Sequence, residues 1–495
     1  MNKKQKWILF GIMLLAVILR CIAISNRNIQ YDDAFSYFLA RVSLENIIHG
    51  TAADTMPPLY YFLLHFWQLI STEVWFLRLL SVLLSLGAMF FLFAFMRRAI
   101  SINGGLWAAL YAAISPLQIY HAQDIRMYAL LVFCCWGYLF FFYKVWENNN
   151  LKQRSTGAWI GMVAFGAGAM YTHNLAIFWI VAPVLFVVVR KSWKFLWKYL
   201  LALFLIGLTA LPWLVMVPGQ VQKIQGAFWT PRPGLVEIFQ SIMMLTFNLP
   251  EPNRILFICG AILALYIFIM VIFRVVKNWA TNPNLSLLAI TCFLPPVLLF
   301  IVSYLIRPVF VIRGFIPSQM AFLGLAAAIT SLDWKNRIGK LLAGLIIANA
   351  IFSYPALYTY AEFPRSPFHE ASAKIKQAVE DGYLVVHDNK LSFFPVNFFF
   401  SSPNQLFLKD QPGSSNDTFA PASQKAMELH PSESIEFAAA GKSKMVFVVF
   451  QEAIDEYSVT KTIPPAVDWL KKNYALTRQE KIGDVLLMFF ESRAK

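Results

Sequence analysis

Apolar runs, each near the roughly 20 residues that a helix needs to cross a bilayer, recur along this 495-residue chain and limit what it can fold into. Eleven of them read as spans, at 7–25, 75–96, 104–120, 125–144, 157–172, 174–190, 196–217, 254–274, 285–305, 310–331 and 337–358. Composition agrees, since 58% of residues are hydrophobic and only 14% charged, too few charges to cover a soluble domain of this size. The sequence predicts an α-helical polytopic protein of the plasma membrane, embedded in the lipid bilayer. A formal charge of +15 would suggest nucleic acid for a soluble chain. Here it follows from basic loops held on the cytoplasmic side, and no nucleic-acid partner is expected.

Those basic residues set an orientation. With the N-terminus inside, Lys3, Lys4, Lys6, Arg97, Arg98, Lys152, Arg154, Arg190, Lys191, Lys194, Lys198, Arg274, Lys277, Lys335, Arg337 and Lys340 fall on the cytoplasmic side. The longer opposite loops hold far fewer, and eleven spans then place the C-terminus outside. The opening segment, MNKKQK followed by WILFGIMLLAVILRCIAIS, has too long an apolar stretch for a cleaved leader and no small-x-small site after it, so it reads as a retained signal anchor. The five cysteines lie in apolar runs, with neither a disulfide framework nor CxxC spacing.

The acids are skewed the other way. Ten precede position 362, and Asp32, Asp33, Glu45, Asp54, Glu73, Asp124, Glu237 and Glu251 all fall on the outer face, leaving only Glu147 and Asp333 inside. Topology does not demand this, so the outer face is where chemistry is expected. The first outer loop, 26–74, opens with YDDAFSYFLA, in which Ala34, Phe35, Phe38, Leu39 and Val42 recur at helical spacing. That pattern predicts an amphipathic helix lying in the membrane interface, with Asp32 and Asp33 at its N-terminus. The pair can cap the helix and suit its dipole, or serve function beside lipid, where carboxylates are costly. A second interfacial helix, PPLYYFLLHFWQLI, starts at Pro57-Pro58.

Asp124 arrives on the same face in HAQDIRMYALL, with His121, Arg126 and Tyr128, and His173 in YTHN lies at a similar depth. Carboxylates with Arg and His at the outer interface suit an anionic lipid headgroup and a nucleophile that must lose a proton. Arg78 at a span start can join them or snorkel to headgroups, and His173 can instead be a packed histidine satisfying backbone. From 362 onward the spans stop and charge is near balance, with fifteen basic and seventeen acidic residues. GYLVVHD, KMVFVVF and DVLLMFF read as buried strands, and HEASAKIKQAVEDG and PPAVDWLKKNY as helices. The expected organisation is a membrane domain at 1–361 and a small extracytoplasmic α/β domain at 362–495, with 401–418 a mobile loop.

These segments resemble, in order, the motifs of the GT-C superfamily of integral-membrane glycosyltransferases, in particular the protein O-mannosyltransferase and lipid A aminoarabinose transferase group. YDDAFS is similar to that group's LDEaxS, TMPPLYYFLLHFW to xHPPLYYxLLHxW, and EVWFLRLLSVLLS to its Arg-x-x-Ser block. YHAQDIRMYALL resembles ySQEaRmYaLL, YTHNLAIF resembles yTHyfa, and FVIRGFIPS resembles RYLlPs. Asp33 and Asp124 stand in place of the commoner Glu, Met56 in place of a His, and Gly314 in place of a Tyr.

The resemblance implies transfer of a sugar from a polyprenyl-phosphate donor to an envelope acceptor (lipid, protein or glycan polymer) on the extracytoplasmic face, with inversion. Asp32 matches the family's catalytic Asp and would be the general base, in a catalytic set with Asp33 and Asp124. Arg126, Arg78, His173 and Arg313 would meet the lipid phosphate, with His121, Tyr60 and Tyr128 as further substrate contacts. Asp32 and Asp124 could also share a divalent ion; no nucleotide cofactor is implied. Two other classes stay open at this point, a transporter of a lipid-linked or anionic substrate and a non-catalytic assembly subunit. Charges gathered at one face and the lack of an internal repeat weigh against the first.

Overall fold

The computed structural model describes residues 1–226, 232–247, 250–279, 282–306, 308–359, 365–410, 420–459 and 461–493. The chain divides into two compact units, Met1–Ile24 with Thr55–Phe363 and Ser25–Asp54 with Pro364–Lys495. The expected boundary at 361/362 lies outside the described residues. The first loop is shared out: its part up to Asp54 goes with the tail, and the rest stays with the spans.

In the first unit, seven of the expected spans are helices long and apolar enough to cross a membrane: Val74–Ala99, Tyr128–Asn150, Trp193–Leu214, Arg254–Asn278, Pro283–Leu305, Ile312–Leu332 and Ile338–Thr359. The other four fall short for physical reasons. Lys3–Cys21 is apolar only between its N-terminal lysines and Arg20, burying Ile12, Ala16 and Arg20 along one stripe while Trp7, Phe10 and Leu14 stay exposed. Thr156–Met170 and Ala176–Val189 have 15 and 14 residues, which at 1.5 Å per residue is less than the ~30 Å hydrocarbon core. The expected span 104–120 is two helices, Ile102–Ile114 and Pro116–Ala122. Pro116 forces Ser115 into an extended conformation (ψ 121°) and offers no N–H to the carbonyl of Ala112. A helix at Leu235–Met244 was not expected from the apolar pattern.

Both acids assigned to the inner face are paired with arginines. Arg98 donates to Glu147 through Nε at 3.1 Å, and Arg274 Nε lies 3.3 Å from Asp333. Their presence among basic loops is thus a matter of local pairing.

The second unit is built on a five-stranded sheet in the order β2-β1-β3-β5-β4, from β1 (Leu384–His387), β2 (Gln405–Phe407), β3 (Lys444–Phe450), β4 (Tyr474–Ile482) and β5 (Val485–Ser492). The β1 strand pairs parallel with β2 and β3, while β5 runs antiparallel to β3 and β4. Both faces are covered, which is why β1, β3 and β5 read as unbroken apolar runs. Leu384, Val386, Phe447 and Val449 face one core with helix Pro465–Asn473, and Val385, Val446 and Val448 face the other with helix Phe368–Glu380. The charged, mostly exposed β4 is an edge strand, and β2 falls within the segment expected to be a loop.

Residues 25–54 of this unit form two helices, Tyr31–Arg41 and Leu44–Asp54. The first is not amphipathic in the expected sense, because Asp33 to Ala40 are all buried within protein. Helix Lys390–Phe399 packs on it through ring pairs Tyr31–Phe394 (5.4 Å), Phe38–Phe394 (5.8 Å) and Tyr37–Phe398 (4.7 Å). Hydrogen bonds from Gln30 Nε2 to the Ser366 carbonyl (3.1 Å) and from Arg365 to the Asn28 carbonyl (3.3 Å) hold the segment before it.

Candidate functional site

The first unit gathers most of the expected residues around the irregular stretch 123–127, between helix Pro116–Ala122 and helix Tyr128–Asn150. Asp124 Oδ2 lies 2.7 Å from His121 Nδ1, and both side chains are buried. The spacing explains the pair: His121 sits in the last turn of a short helix, three residues before an acid that has left it. Tyr128 opens the next helix with its ring 4.9 Å from the His121 ring. The backbone of Asp124 is fixed as well, since its carbonyl accepts from Ser81 Oγ at 2.7 Å, and Ser81 lies 3.5 Å from the Tyr60 hydroxyl. Gln123 Nε2 donates to the carbonyls of Arg20 (2.9 Å) and Ile22 (2.8 Å), two acceptors that the C-terminal end of helix Lys3–Cys21 leaves open.

Arg126 is buried and donates from Nη1 to the Tyr61 hydroxyl at 3.3 Å. His173 stands in the connection 171–175 and is also buried, with Nδ1 accepting from the Leu175 N–H at 3.1 Å. That contact assigns its proton to Nε2. Burial, then the charges of Arg313 and of Arg126, push its pKa down to about 4. His173 is therefore neutral at physiological pH and lies in the field of two guanidinium groups from separate parts of the unit. A region with two arginines and a neutral N–H donor is suited to an anionic oxygen group. Gly314, beside Arg313, has Leu175 Cδ1 only 2.6 Å from where a Cβ would stand, so Leu175 occupies part of the space that a side chain at 314 would need.

Arg78 does not snorkel. It is fully buried in helix Val74–Ala99 and donates from Nη1 to the Ile24 carbonyl at 2.6 Å. Arg78 and Ser81 thus share one helix face, and each holds a backbone carbonyl of a different segment. Sequence reading missed Gln123, Tyr61 and Arg20 as supports. Gln123 adjoins the acid in the quoted motif, and Arg20 is a charge inside an apolar run, which was the available signal.

The second unit carries Asp32 and Asp33 in the first turn of helix Tyr31–Arg41. Asp33 is buried and accepts from the Gln30 N–H at 3.3 Å, so the capping role falls to it. Asp32 is half-buried, and its carbonyl accepts from Ser36 Oγ at 2.9 Å. Among the described residues no three His, Cys, Asp or Glu side chains gather as a metal site.

Residues 55–216 match the family model described as dolichyl-phosphate-mannose-protein mannosyltransferase, a stretch that includes Tyr60, Arg78, His121, Asp124, Arg126, Tyr128 and His173 but neither Asp32 nor Arg313. No curated protein sequence matches the chain. Among solved structures, ArnT from Cupriavidus metallidurans in the apo state is similar with a TM-score of 0.63 at 13% identity, over 99% of this chain and 98% of that one. The same protein bound to undecaprenyl phosphate gives 0.62 at 13% identity, over 98% of each chain. The archaeal oligosaccharyltransferase AglB from Archaeoglobus fulgidus, in complex with an inhibitory peptide and a dolichol-phosphate, gives 0.52 at 10% identity, over 98% of this chain and 74% of that one. The chain is a multi-pass membrane protein with the fold of these proteins, the GT-C glycosyltransferase fold that its ordered motifs resemble.

Proposed function

We propose that this protein is a membrane glycosyltransferase that moves a sugar from a polyprenyl-phosphate donor to an envelope acceptor on the extracytoplasmic face, with inversion. The observation that carries the reading is the region of Arg126, Arg313 and neutral His173 in the first unit. The family match over 55–216 and the likeness to ArnT support a lipid-phosphate ligand for it. In the reaction the acceptor hydroxyl attacks the anomeric carbon, the bond from that carbon to the lipid phosphate oxygen breaks, and the lipid phosphate leaves with the electron pair. Arg126 and Arg313 would bind the phosphate and offset its growing charge, and the N–H of His173 would add a donor that needs no protonation. Asp32, at the position of the family's catalytic Asp, would take the hydroxyl proton. Asp124 would keep His121 oriented and keep negative charge within the buried turn.

Deleting the gene in its host and comparing envelope fractions by mass spectrometry tests the reading. One sugar should disappear from one fraction and return with the wild-type gene. Unchanged glycans in every fraction would contradict it.

A further inference from the structure

An arginine in an apolar helix is expensive unless every donor is met, and Arg20 is fully buried. Its donors go to particular places. Nη2 donates to the Ala112 carbonyl at 3.0 Å, Nη1 to the Ala113 carbonyl at 3.1 Å and to Ala16 at 3.3 Å, and Nε to Ser85 Oγ at 3.0 Å. Ala112 is the residue whose helical partner would be the missing N–H of Pro116, and Ala113 is the next one before the break. The third carbonyl there, that of Ile114, accepts from the Tyr354 hydroxyl at 2.9 Å. The guanidinium therefore closes a helix end that proline opened, at the point from which helix Pro116–Ala122 departs toward Asp124. In return, Gln123, the residue before Asp124, donates to the carbonyl of Arg20 itself.

We propose that Arg20 is a positioning residue for the turn 123–127, linking helix Lys3–Cys21 to the end of helix Ile102–Ile114 from which the short helix with His121 departs and, through Gln123, to the far end of that short helix, and through that turn setting the place of Arg126 for lipid-phosphate binding. The binding part rests on the function proposed above. The link itself does not. Lysine at this position keeps the charge but presents one compact head, which cannot serve Ala112, Ala113 and Ser85 together.

The test uses the full-length protein in one detergent as wild type, Arg20→Lys, Arg20→Gln and Arg126→Ala, with hydrogen–deuterium exchange and binding of undecaprenyl phosphate as the two readouts. In Arg20→Lys, exchange over 117–127 should rise several-fold while that of strand β3 stays unchanged, and affinity for undecaprenyl phosphate should fall roughly tenfold. Arg20→Gln should give the same signature or a larger one. If it does not fold, Arg20→Lys decides alone; if neither folds, Gln123→Met cuts the link from the turn's side and must reproduce the signature. Unchanged exchange over 117–127, or raised exchange with affinity within about twofold of wild type, would overturn the proposal. If wild type does not bind undecaprenyl phosphate, the proposed function fails instead, and exchange over 117–127 alone then decides whether Arg20 holds the turn.

Discussion

The two carboxylate segments, YDD and QDIR, are held in place by different means. Asp32 and Asp33 begin a regular helix whose start is made locally, by Asp33 accepting from Gln30, and which is then anchored by ring contacts to Phe394 and Phe398. Asp124 and Arg126 lie in an irregular turn that makes no regular ladder of its own. That turn is fixed by hydrogen bonds to distant segments, through the side chains of Ser81 and Tyr61 and through the backbone carbonyls of Arg20 and Ile22 that Gln123 reaches. A regular element tolerates change at one residue, because its backbone hydrogen bonds remain. A turn built from single long-range bonds does not. Substitutions in the turn should therefore cost more than those in the helix start, unless the helix residue does chemistry.

Among substitutions in the turn, the largest effect is expected at Arg126. Arg126→Ala should reduce productive use of the lipid donor roughly tenfold to a hundredfold, the range of a lost charge-assisted contact, with KM affected more than the fold. Arg126→Lys should recover only part, because a point charge loses the paired geometry. Steady-state kinetics with host lipid donors would check both, and full activity of the alanine variant would remove Arg126 from the site.

Acid provides a comparison of the two units, because each buries a neutral histidine. Burial and two arginines bring His173 to about 4, and burial alone brings His387 to about 3. The unfolded chain takes up protons at these rings near pH ~6.5, whereas the folded one does not until the lower values. Stability from each is thus fully present above about pH 6.5 and is lost as pH falls, by about 2 kcal/mol apiece at about pH 5. Thermal unfolding in detergent should show this decline, and His173→Gln or His387→Gln should each flatten part of it. A flat profile in wild type would contradict the buried neutral assignments.

The smallest effect is expected at Asp33. Asp33→Asn keeps an acceptor for the Gln30 N–H and loses only charge at a helix start, so the loss should be about 1 kcal/mol or less in unfolding experiments. A collapse of the fold would mean that the charge of Asp33 is doing more than capping.

The difference between the two segments also explains what could be read from sequence. Seven spans, the helix at Tyr31 and the strands at 384–387, 444–450 and 485–492 were legible because periodicity or an unbroken apolar run encodes them locally. Strand β4 was missed because its residues are mostly exposed and include the charged Arg478, Glu480 and Lys481, and helix Lys390–Phe399 because Pro395 lies inside it. The break at Ser115-Pro116 was hidden in a continuous apolar stretch. Of the candidate site, the residue types and their order were readable. The joint field of Arg126 and Arg313 on His173 and the burial of Arg78 against Ile24 depend on distant chain segments and left no local pattern.

Asp32 is the sharpest test of the whole account, since its neighbour supplies a control of the same chemistry one residue away. Sugar transfer into envelope fractions should be measured for wild type, Asp32→Asn and Asp33→Asn, with unfolding temperatures in the same detergent. Loss of a general base costs ~100-fold to ~10,000-fold in rate, so Asp32→Asn should remain folded with transfer reduced to that extent. Asp33→Asn should keep most of its activity. A folded Asp32→Asn protein that retains more than about a third of wild-type transfer would contradict the assignment, because no general base is that dispensable.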